Sequence, residues 1–134
     1  MTQYNPENER MKLKYFDYET QANGKNVKTV DAMRKALLRY EEFTGYQYFK
    51  TFDHNQAIQF KSHLLASKNC HGKQLSLSTV AHTLKPVQTF LKWLSLQPNY
   101  KSHIRLSDIE YLNLSEKDRR SIRPNALKNY PSKE

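Results

Sequence analysis

The chain has 134 residues with one Cys, three Gly and five Pro, and its 22 Lys+Arg against 13 Asp+Glu give a net charge of +9. This length fits one domain, able to withdraw roughly 65–70% of its unfolded surface from water. The single Cys70 excludes an internal disulfide framework, no apolar run nears the ~20 residues of a membrane span, and the N-terminus lacks a basic-then-apolar signal pattern, so a cytoplasmic location is expected.

Asn5-Pro6 opens the first predicted helix: a short polar side chain precedes a proline at the first helical position, where a missing N–H costs nothing. Met11, Tyr15, Tyr18 and Ala22 recur at helical spacing, and Gly24 supplies the stop. A second helix is predicted from an N-cap at Thr29, with Asp31 in its first turn. Val30, Met33, Leu37, Tyr40 and Phe43 or Thr44 form its apolar stripe, and Gly45 its left-handed terminus. Asp53 and Gln56 form a capping-box pattern ahead of Ala57, Phe60 and Leu64, with Ile58 and Leu65 beside them, in a third helix expected to reach about Lys68.

A fourth helix opens at Ser76 or Ser78 and carries Leu77, Val80, Leu84, Val87, Leu91 and Leu94 towards Gln97-Pro98. Pro86 lies inside it and predicts a kink near His82–Lys85 or a break into two helices. Two short helices are expected to follow, one capped by Ser107 with Ile109 and Leu112, the other running from Ser115 to about Ile122. Strand-type alternation is missing throughout, so the expected fold is all-α, a compact bundle of four to six helices.

Charge is unevenly distributed along these elements. Residues 1–24 carry three basic and four acidic side chains, whereas from His54 to Ser107 there is no Asp or Glu against seven Lys/Arg and all five His. Ordinary solvated surfaces mix both signs, so an acid-free stretch of this length points to an anionic partner, most often nucleic acid. At 100° per residue, Ser78, His82, Lys85, Thr89 and Lys92 share a sector of about 80° opposite the leucine stripe of the fourth helix. Two cations, an imidazole and two hydroxyls suit contact with phosphates and base edges. A solvated helix face is the plainer reading, but such a face usually contains Glu. Lys25, Lys28, Lys35 and Arg39 form a second basic patch around the second helix, with Asp31 and Glu42 on the same side.

Enzyme chemistry finds little support. Cys70 and His71 are adjacent, His82 and His103 stand alone, and neither H-x-x-x-H nor C-x-x-C occurs, so no metal site and no cofactor are expected. There is no glycine-rich phosphate loop and no Ser or Cys nucleophile signature. Trp93, off the polar face of its helix, is expected to clamp a neighbouring helix.

The runs K-T-V-D-A-M-R-K-A-L-L-R-Y-E-E-F-T-G (28–45), D-H-N-Q-A-I-Q-F-K-S-H-L (53–64), L-S-L-S-T-V-A-H-T-L-K-P-V-Q-T-F-L-K-W-L (75–94) and I-E-Y-L-N-L-S-E-K-D-R-R (109–120) resemble, in order and spacing, the N-terminal core-binding domain of tyrosine recombinases, the phage-type integrases. The resemblance covers roughly residues 6–122 and implies a SAM-like helical domain that closes on a duplex DNA site together with a separate catalytic domain. It implies a DNA surface of Lys25, Lys28, Thr29 and Lys35 with Ser76, Ser78, Thr79, His82, Lys85 and Thr89, to which the charge pattern adds Lys92. Residues 123–134 resemble a linker and the start of a catalytic domain. The Arg, His, Arg and Tyr of that domain are not in the chain, so no residue here is catalytic and Tyr130 is no nucleophile. The implied partners are double-stranded DNA, the parent's catalytic domain and other recombinase protomers, with no membrane. The alternative is a helical protein-interaction module docking an acidic partner.

Overall fold

Asn5 accepts hydrogen bonds on its Oδ1 from the backbone N–H groups of Glu7 (3.1 Å) and Asn8 (3.2 Å), and with Pro6 next to it starts the first helix, α1 (Pro6–Gln21). The computed structural model describes residues 5–68, 71–115 and 118; the predicted tail beyond 118, including the end of the Ser115–Ile122 helix, and Cys70 lie outside the described residues. Among the described residues the protein is an all-α bundle, with α2 (Val27–Thr44), α3 (His54–Ala66), α4 (Leu77–Leu94) and the single-turn α5 (Leu106–Ile109) following α1. Two 3-10 turns, Phe49–Thr51 and Glu110–Leu112, complete it, and the one extended pairing is an isolated bridge between Lys68 and Gln74.

The termini follow local chemistry. α2 begins three residues before the predicted Thr29, because Asn26 offers an equivalent short acceptor and takes the Thr29 N–H at 2.9 Å. At its other end Gly45 adopts φ +73°, a left-handed conformation that glycine enters without penalty, and the N–H groups of Gly45 and Tyr46 return to the carbonyls of Glu42 and Glu41. Asp53 caps α3 through the Gln56 N–H, and Ser76 caps α4 through the Thr79 N–H. The predicted Ser107 cap is not used. α5 starts at Leu106 with no side-chain cap, anchored instead by burial of Ile104, Ile109 and Leu112. Ser115 and Asp118 exchange capping bonds: the Ser115 N–H and hydroxyl both donate to Asp118 Oδ2, and the Asp118 N–H donates to Ser115 Oγ.

α4 is a single helix from Leu77 to Leu94, passing through Pro86 without the predicted break. Proline removes one N–H, that which would reach the His82 carbonyl, and His82 lies on the exposed face, where losing that bond costs less than it would in the core. Leu84, Val87 and Phe90, all buried, hold both halves to the core. The aromatic centre is a chain of rings. Phe90 meets Tyr15 and Phe49 edge-on at 5.0 Å each, and Tyr40 meets Phe60 edge-on at 5.2 Å. Trp93 packs against Tyr15 (5.2 Å) and Tyr18 (6.2 Å) of α1, the helix clamp expected of it.

The buried face of α1 departs from prediction. Tyr18 is 43% exposed and Ala22 falls beyond the helix, while Asn8, Lys12, Phe16 and Glu19 are buried alongside Met11 and Tyr15. Asn8 and Lys12 turn inward onto partners in distant segments, whereas Glu19 accepts from the Asn23 amide one turn further on, at 3.0 Å. Asn8 donates to the Gln47 carbonyl (2.7 Å) and accepts from the Phe49 N–H (3.2 Å), fastening the α2–α3 connection to α1. Lys12 Nζ lies 2.5 Å from Glu41 and 2.9 Å from Glu9. Near the start of α1, Tyr100 donates to Glu7 at 2.5 Å; that bond, assisted by Lys50, outweighs partial burial and holds the Glu7 carboxyl below the usual range. On α3, Ile58 faces outward at 40% exposure rather than joining the stripe, and the helix ends at Ala66.

Candidate nucleic-acid interface

The core-facing side of α4 is Val80, Leu84, Val87, Leu91 and Leu94, with Phe90 added to the predicted stripe. The opposite side carries Ser78, His82, Lys85, Thr89 and Lys92, and all five are exposed. From Ser78 to Lys92 that ridge is about 21 Å long at 1.5 Å per residue. A helix with its side chains is about 10–12 Å across, close to the ~12 Å width of the major groove of B-DNA.

α2 lies against α4 with opposite polarity. Arg39 and Phe43 sit beside Leu75 ahead of α4, while Ala32, Lys35 and Ala36 reach Thr79–Thr83 further along it. The small side chains of Ala32 and Ala36 let the helices approach and leave a shallow groove of about 240 Å³ between their polar ridges. Lys35 and Arg39 line one wall, and Thr79, His82 and Thr83 the other. Two patches that are 40 residues apart in sequence therefore form one surface. Arg39, part of the α2 charge pattern but not of the surface implied by resemblance, belongs to it, as does Thr83, which neither pattern marks. Lys25, Lys28 and Thr29 lie at the start of α2 and do not line this groove; the two lysines are exposed and Thr29 is half-buried.

The charges on this surface are uncompensated. Among the described residues, Lys25, Lys28, Lys35, Arg39, Lys85 and Lys92 have no carboxylate within 4.0 Å. Several acids are paired elsewhere: Glu9 and Glu41 meet Lys12, Glu7 meets Lys50, Asp108 faces His54 at 3.6 Å and Asp118 binds Lys61 at 2.8 Å. On the α2 side, Asp31 faces Arg34 at 4.0 Å, and Glu42 has no ion pair among the described residues.

The hydroxyls divide by role. Ser76 is the α4 N-cap and lies 3.0 Å from the Thr79 hydroxyl, so its oxygen is occupied by the helix terminus. Thr83 and Thr89 donate to the carbonyls of Thr79 and Lys85, each at 3.0 Å, which leaves their oxygens as acceptors only. The Ser78 hydroxyl makes no hydrogen bond among the described residues and presents both donor and acceptor. The surface thus offers cationic and hydroxyl donors facing outward with no acid on α4.

Among the described residues no three His, Cys, Asp or Glu side chains are grouped so as to hold a metal ion, and no helix is long and apolar enough to cross a membrane. Comparison with protein-family models, curated proteins and solved structures finds no match to this chain.

Proposed function

We propose that the chain binds duplex DNA through the joined α2–α4 face, as the core-binding module of a site-specific tyrosine recombinase acting in DNA integration. The observation that carries this reading is the convergence of Lys35 and Arg39 with Thr79 and His82 across one groove, flanked by Lys85 and Lys92, with no acid on the α4 side. Lysines and arginine neutralise phosphates, and the Ser78 hydroxyl and His82 ring supply short-range donors to backbone or base edge. The chain itself carries out no bond chemistry in this reading. It positions a catalytic domain, which would supply the Arg, His and Tyr groups of the family it resembles.

The test is the salt dependence of affinity. With about five phosphates neutralised, log K against log[salt] should have a slope of about −4 to −5. Lys85→Glu should weaken cognate and random duplex alike if Lys85 meets phosphate, and the slope should become shallower by about 1. A slope near zero overturns duplex binding and leaves the docking of an acidic protein as the reading of this face. In an amide-shift titration, residues 25–35 and 76–92 should respond together; scattered shifts would have the same adverse meaning.

A further inference from the structure

Past Arg39 the groove between α2 and α4 leads into a larger recess of about 470 Å³, between the end of α2, the end of α3 and the residues ahead of α4. Arg39 lines both. Phe43 and Leu75 give the recess an apolar wall, and the His63 ring packs against Phe43 in a tilted contact, with centroids 5.0 Å apart at 38°. Lys68 adds a second permanent cation, and Glu42 is the one acid that lines it among the described residues.

The rim is fixed and its charged groups are free. Ser67 donates from its hydroxyl to the His63 carbonyl (2.6 Å) and accepts the Leu75 N–H on its own carbonyl (3.1 Å). Gln74 donates to the Leu65 carbonyl (2.8 Å), and the Lys68–Gln74 bridge closes the connection. The side chains of Arg39, His63 and Lys68 have no hydrogen bond or ion pair among the described residues. The recess on the other side of α3, lined by Ile58, Leu65 and Asp118, is different. Its Lys61 is already bound to Asp118 at 2.8 Å and to the Asn113 carbonyl at 2.9 Å, and it is the one cation lining that recess among the described residues.

We propose that the recess beside Phe43 and His63 takes a single unstacked nucleotide, with its phosphate on Arg39 and Lys68 and its base against the two rings. Glu42 would accept from an exocyclic amine, as cytosine and adenine carry. The volume lies within the roughly 300–1,000 Å³ of small-molecule sites. Aromatic stacking beside a cationic track is how single strands are held without duplex geometry. Because Arg39 belongs to both surfaces, the nucleotide would be the one at a strand end or break next to the duplex on α2 and α4. The inference rests on the duplex reading above.

The test compares, by fluorescence anisotropy with the full chain, a blunt duplex and the same duplex with a short cytosine overhang. The overhang should bind about tenfold more tightly, the gain expected of one stacked base. His63→Ala and Lys68→Ala, both at exposed positions, should each remove that gain and leave blunt-duplex affinity unchanged. Equal affinity for the two DNAs, or a gain that survives both substitutions, overturns the recess while leaving the duplex reading intact. If blunt duplex does not bind, the duplex reading falls and the recess is tested alone by titrating deoxycytidine monophosphate against inorganic phosphate. His63 ring-proton shifts larger with the nucleotide support the recess as a site for free nucleotide; equal shifts, or none, overturn it.

Discussion

The seam between α1 and α2 and the groove between α2 and α4 share one helix and treat charge in opposite ways. In the seam, Glu41 is fully buried and meets Lys12 at 2.5 Å, with Glu9 closing the set. In the groove, Lys35 and Arg39 are exposed and, among the described residues, neither has a carboxylate within 4.0 Å. Burial raises the Glu41 carboxyl above the usual range, and the hydrogen bond and charge of Lys12 offset only part of that penalty. Burial also works against the Lys12 ammonium, but its bonds to Glu41 and Glu9 prevail and hold it above the ordinary lysine value. The buried charge is thus matched inside the fold and available to nothing else. The open charge contributes little to the fold, which is the condition for giving it to a partner.

The largest effect should come from breaking the seam. Glu41→Ala leaves a cavity and reduces the largely buried Lys12 ammonium to its remaining partner Glu9, and should destabilise the protein by about 2–3 kcal/mol, read from urea unfolding. Lys12→Met with Glu41→Leu removes both charges and should bring stability back to the original level or above it. Among the described residues Glu41 Oε2 has no hydrogen-bond partner, so the pair lacks the full set of contacts that makes a buried ion pair clearly favourable. A double variant as unstable as Glu41→Ala would show that the seam stabilises through charge after all.

The groove should respond in the other observable. Lys35→Glu should leave unfolding within about 0.5 kcal/mol of the parent, as surface substitutions usually do. It should lower duplex affinity about tenfold and make the salt slope shallower by about 1. A large loss of stability with unchanged binding would reverse the contrast between the two regions and place Lys35 in the fold.

The contrast also marks how far the sequence could be read. The stripe Val30, Met33, Leu37 and Tyr40 was visible because apolar residues at helical spacing have one explanation, and all four are buried. Glu41 follows that stripe by one residue and reads as a solvated acid; its partner Lys12 lies 29 residues away, so only packing reveals the pair. The same limit applies to the groove. Each polar ridge was legible on its own helix, but their meeting depends on Ala32 and Ala36 admitting α4, a tertiary fact with no local signal. On α1, Met11 and Tyr15 are buried as their spacing indicates, but the stripe does not continue to Tyr18. Tyr18 turned outward because Asn8, Lys12 and Glu19 had partners that outweighed its apolar ring.

The smallest effect separates two residues at the start of α2 whose patterns are nearly interchangeable. Thr29 followed by Asp31 looks like a helix start, yet Asn26 accepts the Thr29 N–H and Thr29 is already within the helix. Asn26→Ala should therefore cost about 1 kcal/mol of stability, the usual value of a side-chain cap. Thr29→Ala should be neutral or slightly stabilising, since alanine is the better helix former by a few tenths of a kcal/mol. Duplex binding should show the reverse order, because the Thr29 hydroxyl is a proposed contact and the Asn26 oxygen is already held by its own helix. If Thr29→Ala destabilises and Asn26→Ala does not, α2 begins three residues later than described, and the exposed Lys28 beside it would no longer be carried by the helix that orients Lys35.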